Sequence, residues 1–215
     1  MNAPASRLSG RPKDLEKRAA IFAAASGLFL EQGFERTTVD AIAAAAGVSK
    51  LTVYSHFADK EGLFKALISA KCAEHFEAMD FVALAPLGPA AALDHIARAF
   101  LALMFHPDVL ALHRILMTNE RGDTVMNTTF WQAGPQPTIA ALAALLARFA
   151  ADGALLIERP VDAADQFFSM LKGTEHLRML LGIGAPPTTC DLAQLRTAVV
   201  AMFVRAYAGS AQHDG

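Results

Sequence analysis

Cysteine is nearly absent from this 215-residue chain. The two that occur, Cys72 and Cys190, have no second Cys or His at zinc-finger spacing. That excludes a disulfide framework and a structural zinc site. Both thiols are expected to be reduced core residues of a cytosolic protein. Charge is sparse too, with Asp, Glu, Lys and Arg at 19% of the chain. A disordered chain is polar and charge-rich, so disorder is excluded. The 14 Gly and 10 Pro follow no period, which excludes a collagen-like or low-complexity protein. No apolar run follows the basic N-terminal residues, so no signal peptide is expected. The most apolar stretch, Ile139 to Ile157, is broken by Arg148, Asp152 and Gly153. It is expected to be a core helix and not a membrane span. Sustained polar–apolar alternation, the mark of a half-buried strand, is missing as well.

What is present is apolar residue in excess. Hydrophobic residues make up 53% and the mean hydropathy is +0.31. A monomer of this size needs less, so some surface is expected to lie against a partner or around an apolar ligand. The formal charge is −2, but it is unevenly placed. Residues 1–60 hold eight Lys/Arg against six Asp/Glu, and residues 61–215 hold eleven against fifteen. A basic front end on an acidic protein fits nucleic-acid contact confined to that end, and equally fits a solvated tail.

Ala and Leu dominate segments with helical spacing. The first helix is predicted from about Leu15 to Gln32, with Leu15, Ala19, Phe22, Ala25, Phe29 and Leu30 on one stripe and Gly33 as its stop. Thr37 and Asp40 resemble a capping box opening a short helix through Ala46. Gly47 suits a turn with positive φ. Ser49 caps a helix from about Lys50 to His56, and Asp59 caps one from Lys60 to about Phe81. Further helices are predicted near 90–105, 108–119, 124–151, 162–181 and 189–208. The third of these is kinked at Gly134–Pro137, because proline removes a backbone donor. The result is an all-α protein of about nine helices. Residues 1–60 form an N-terminal arm and a three-helix head, and residues 61–215 form a larger helical body. Helix, tight glycine turn and short second helix make a helix-turn-helix.

The residues of the head are specific. They are Leu28-Phe29, Gly33-Phe34, Thr37-Thr38, Ile42-Ala43, Ala46-Gly47-Val48-Ser49, Thr52-Val53-Tyr54, Phe57, Lys60-Glu61 and Leu63. At this spacing the first 65 residues or so resemble the N-terminal domain of the TetR/AcrR family of bacterial transcriptional regulators. Leu51 departs from the pattern, since many members carry a small residue there. The run from Gly134 to Gly173 is similar to the C-terminal domain of the AefR-like subgroup.

In a helix-turn-helix the second helix lies in the major groove with its N-terminal residues at base edges. Here those are Ser49, Lys50, Leu51 and Thr52. Lys50 suits a guanine edge or a phosphate, Thr52 a base or the backbone, and Leu51 a thymine methyl. Ser49 suits a phosphate as well as a cap. Ser55 is a candidate base contact. Thr38 begins the helix that crosses the backbone, and Lys60 is placed to clamp it. The resemblance assigns Tyr54 and His56 to phosphates. The basic arm, Arg7, Arg11 and Lys13, is a candidate for phosphate or minor-groove contact. Val53 and Phe57 are expected in the core.

The resemblance further implies a cytoplasmic bacterial repressor that binds a palindromic operator as a homodimer and is released by a small effector. Two half-sites supply the selectivity one short module lacks. The last two helices would build the dimer, with Phe168, Met179, Leu195, Val199, Met202 and Phe203 as its candidate surface. Composition favours an apolar, flexible pocket. Its candidate walls are Phe100, Met104, His113, Met117, Trp131, Phe167, Met170 and Thr174, with Asn127, Gln166, Glu175 and His176 as further polar candidates. No cofactor, metal or membrane partner is expected. No HExxH, Glu-x-x-His, Walker or dinucleotide loop occurs, so no enzyme is expected. A second reading is a helical protein that binds or modifies a small molecule and whose head no longer reads DNA. The acidic overall charge and Leu51 motivate it.

Overall fold

A computed structural model describes residues 11–76, 81–118 and 124–209, with side chains for all of these except 11–13, 72–76, 118, 124 and 125. Arg7 lies outside the described residues, as do the side chains of Arg11, Lys13 and Cys72. The head is α1 (Arg11–Arg36), α2 (Val39–Ala45) and α3 (Lys50–His56). The connecting helix is α4 (Lys60–Phe76). After a 3-10 turn (Val82–Leu87) come α5 (Gly88–Met104), α6 (Pro107–Thr118), α7 (Thr124–Ala133), α8 (Pro135–Ala151), α9 (Pro160–Leu180) and α10 (Thr189–Ala206). No strand occurs among the described residues. The nine expected helices are found, and the one expected over 124–151 is two. Gly134, at φ −124 and ψ −81, leaves the helical region and Pro135 opens the next helix without needing a donor.

Local chemistry sets the boundaries. Gly33 sits at φ +81 and breaks the last turn of α1. Gly47 takes φ +65 in the turn between α2 and α3. Ser49 accepts from the Thr52 amide at 3.1 Å, and Asp59 from the Gly62 amide at 2.6 Å. The predicted Thr37–Asp40 capping box is corrected: Thr38 is the cap, accepting from Ala41 N at 3.1 Å. Thr37 is buried and turned back onto α1, its hydroxyl donating to the Gly33 carbonyl at 2.7 Å. A capping box does occur at Thr188 and Asp191, opening α10. Cys190, expected in the core, is exposed in the first turn of α10.

Two large hydrophobic clusters and a small third one, Leu110, Met179 and Leu180, hold the described residues together. The body cluster joins Leu93, Ile96, Leu145, Phe149, Phe167, Phe168, Val199 and Phe203 from α5, α8, α9 and α10. Each fully buried large side chain contributes roughly 1.5–3 kcal/mol of transfer free energy. The stretch Val82–Met104 is long and apolar enough to cross a membrane by length and composition. Here Ala92, Leu93, Ile96 and Ala97 in it are wholly buried at the centre of the body cluster. The head cluster stacks Phe29, Phe34 and Phe64, with ring centroids 5.3 to 5.5 Å apart. It does not stop at the head. Leu63, Phe64 and Ile68 of α4, Leu112 and Leu116 of α6, and Met126, Phe130 and Ala133 of α7 belong to it. Arg114 of α6 is bolted to the C-terminal end of α9, donating to the Leu180 carbonyl at 3.1 Å and also to the Met179 carbonyl.

Candidate functional site

The head presents one polar face. Val53 and Phe57 turn inward and are buried, as expected. That phase leaves Ser49, Lys50, Leu51, Tyr54 and Ser55 exposed along α3, with Thr38 exposed beside them. Leu51 is 80% exposed, an apolar side chain that none of the described residues covers. The Ser49 and Thr52 hydroxyls are 2.9 Å apart, and Ser55 donates to the Thr52 carbonyl at 2.8 Å. Lys50 Nζ lies 2.8 Å from Asp40 Oδ2. That hydrogen bond raises the lysine pKa, so its charge is secure. Lys60 Nζ donates to the Phe34 carbonyl at 2.8 Å and sits 4.1 Å over the Phe34 ring, which ties α4 to the end of α1. His56 is largely covered, with Nε2 3.2 Å from Asp14 Oδ1.

The body encloses a cavity of about 600 Å³, within the range of ligand pockets. Six helices, α4 to α9, wall it. Phe100, Met104, His113, Met117 and Trp131 line it, together with Asn127 and His176. Phe167, Met170 and Thr174 do not, which corrects the sequence expectation. Asp165, Phe168, Lys172, Gly173, His176, Leu177 and Leu180 of α9 line the cavity, and the helix is interrupted among them at Gly173, with φ +51 and ψ −163. Phe167 is wholly buried against Phe203, with ring centroids 5.0 Å apart. Met170 packs on the body cluster and Thr174 faces solvent. Gln166 is engaged elsewhere, accepting from the Tyr207 hydroxyl at 2.9 Å, and Glu175 pairs with Arg178. Ile68, Lys71, Asp165 and Lys172 are among the other residues of the wall, and they escaped the sequence reading. For Lys172 the signal was there: a lysine four residues after Phe168 and four before His176.

His113 Nδ1 and His176 Nε2 are 3.3 Å apart across α6 and α9. Phe130 meets His113 edge-on, and Phe105 meets His176 likewise. Burial first, then His176 and Lys172, lowers the His113 pKa to about 4. Burial and Lys172 lower that of His176. Both rings are therefore neutral at pH 7.

The dimer candidates are also corrected. Phe168, Met179, Val199 and Phe203 are buried within the chain itself, and Leu195 packs on its own body cluster. The periodicity of α9 and α10 turns the four buried side chains inward, while Leu195 keeps part of its surface exposed. Met202 is exposed, and so are Val161, Leu177, Leu181 and Ile183.

Two family models match. Residues 21–67 match the model described as bacterial regulatory proteins, tetR family, and residues 91–209 that of the AefR-like transcriptional repressor, C-terminal domain. The solved structure of the Flavonoid-responsive Regulator FrrA is 37% identical, with a TM-score of 0.74, covering 91% of this chain and 98% of that one. The HTH-type transcriptional repressor BepR of Brucella suis is 43% identical over 53 residues, 25% of either chain. The HTH-type transcriptional regulator YdeS of Bacillus subtilis is 49% identical over 51 residues, 24% of this chain and 26% of that one. The chain thus matches only about a quarter of the length of these two curated relatives.

Proposed function

This chain belongs to the TetR family of bacterial transcriptional regulators, with an AefR-like C-terminal domain, and on that premise we propose that it is a repressor released from DNA by a small, mostly apolar effector. One observation carries the reading. Ile68, Leu112, Leu116 and Phe130 belong at once to the cavity wall and to the head cluster. A molecule that fills the cavity pushes on side chains that hold the head. Release requires only that the effector prefer the head spacing that misses the operator, and it acts by as much as that preference. The responsiveness that gives the 37% identical relative its name supports a small-molecule effector here.

On DNA, the exposed face of α3 carries the contacts. Lys50 leaves Asp40 for a guanine edge or phosphate, and Leu51 meets a thymine methyl. Thr38, Ser49, Thr52, Tyr54 and Ser55 position the head on backbone and bases. Lys60 and His56 act chiefly by fixing the elements around them, since each already has a partner in the chain. A homodimer supplies two half-sites. Its surface is drawn from the exposed apolar side chains of α9 and α10 and the loop between them, Leu177, Leu181, Ile183 and Met202. The protein works in the cytoplasm, on the chromosome.

The test is fluorescence anisotropy with the DNA upstream of the protein's own gene, at fixed salt and with excess non-specific competitor. Competitor-resistant binding is expected there, or at sites recovered by genome-wide selection of bound fragments. Affinity no greater than that of a charge-matched control in both experiments favours the second reading, a helical ligand-binding protein that no longer reads DNA.

A further inference from the structure

The chemical class of the effector can be read from the cavity wall, given that the cavity is the effector site of a ligand-released repressor. We propose that the effector is a flat aromatic molecule carrying one acidic oxygen, a carboxylate or a phenol, held by Lys172 and the His113–His176 pair.

The flatness comes from the walls. Phe100, Phe130, Trp131 and Phe168, from α5, α7 and α9, line it, and aromatic side chains pair favourably with an aromatic skeleton. The acidic oxygen comes from a charge without an answer. Two lysines line the cavity, and they are not alike. Lys71 has a carboxylate, with its Nζ 3.7 Å from Asp108. Lys172 is half-buried and makes no ion pair among the described residues. A lysine in the wall of a mostly apolar cavity offers its ammonium to an anion or acceptor that enters.

Lys172 lies four residues before His176 on α9, and Lys172, His113 and His176 all line the cavity. Asp165 also lines the cavity. It lies seven residues earlier on α9, two turns and roughly 10 Å along the axis, and it shifts neither histidine. Among the described residues no carboxylate forms an ion pair with Lys172.

The neutral pair adds a definite chemistry. Each ring has one N–H and one bare nitrogen. Their mutual hydrogen bond uses one of each. Whichever ring donates, one N–H and one bare nitrogen are left over. The N–H suits a carboxylate or phenol oxygen, and the bare nitrogen suits a phenol proton. An ammonium and this pair together recognise an acidic oxygen better than an amide, an amine or a hydrocarbon end.

Trp131 is the chain's one tryptophan and it lines the cavity, so its emission reports occupancy. The experiment uses the full chain and three probes of one shape: 4-methylbiphenyl, 4-hydroxybiphenyl and biphenyl-4-carboxylate. Affinities are read by calorimetry and checked by Trp131 emission. At least one oxygen probe is expected to bind about ten-fold or more tightly than the methyl probe, the worth of one charge-assisted hydrogen bond. Lys172→Met is expected to bring that ratio close to one while leaving the methyl probe's affinity unchanged, which also reports an intact cavity. The tighter oxygen probe tells carboxylate from phenol. A ratio near one in the native chain, or one that survives Lys172→Met, overturns this proposal and leaves the effector site standing. No binding of any probe overturns both.

Discussion

Ser49, Lys50, Leu51, Tyr54 and Ser55 are exposed neighbours within a single turn and a half of the head. Lys71, His113, Trp131 and Lys172 line one cavity in the body, yet they come from four helices and about a hundred positions of chain. The head does its chemistry with side chains that short, capped helices leave outside. The body does it with space that long helices leave unfilled. A reading surface needs only local phase and a stable platform. A cavity needs every helix around it to be in place, since one shifted helix closes it or opens it to solvent. The two regions are nevertheless one packed object, because Ile68, Leu112, Leu116 and Phe130 serve both.

That union is the first thing to break. Phe149→Ala, at the centre of the body cluster, is expected to cost about 3–5 kcal/mol in chemical denaturation. Head and body are expected to unfold together, with Trp131 emission and helical circular dichroism following one curve. Two separate transitions would mean that the shared side chains do not couple the regions, and the release mechanism would lose its basis.

Acid separates the regions next. An unfolded histidine takes up its proton near pH 6.5, whereas His113 resists down to about pH 4. Between these values the unfolded chain binds more protons, so stability falls as pH falls. The stabilisation is complete above pH 6.5 and amounts to about 3 kcal/mol for His113 alone. His113→Phe is expected to flatten the profile of unfolding free energy between pH 6.5 and 4. A profile unchanged by that substitution would show that the pair is not held neutral.

The smallest effects lie on the reading face. Lys50→Ala is expected to lower the slope of log affinity against log salt by about one, and Leu51→Ala to leave the slope and relax preference at one base pair. Asp40→Ala frees Lys50 and is expected to strengthen DNA binding without changing the unfolding midpoint, as an exposed ion pair adds little stability. Weaker binding in Asp40→Ala would mean that the ion pair orients Lys50 for DNA.

The head was legible almost residue by residue. Cap residues act within three or four positions, so Ser49 and Asp59 announced their helices, and Gly47 its turn. The failure was also local. Thr37 and Thr38 are both competent caps, and choosing between them needed the buried bond from Thr37 to Gly33. In the body, seven of the named pocket candidates line the cavity, and Lys172 was missed because an apolar-pocket argument discards charges. The dimer candidates failed for a related reason. Phe168, Val199 and Phe203 looked like surplus apolar surface, but a helix buried between neighbours needs apolar side chains on several faces.

By itself the sequence determined the helices, their breaks at glycine and proline, the helix-turn-helix and the identity of its exposed face. All of these follow from interactions between residues a few positions apart. Only the tertiary structure decided which residues of α9 line a cavity. It alone brought His113 to His176, left Lys172 without an ion pair among the described residues, and joined the head cluster to the cavity wall. Those are contacts between elements distant in the chain, and they depend on how far each helix is rotated about its axis. Alanine and leucine at helical spacing permit several rotations, and only the packed whole selects one.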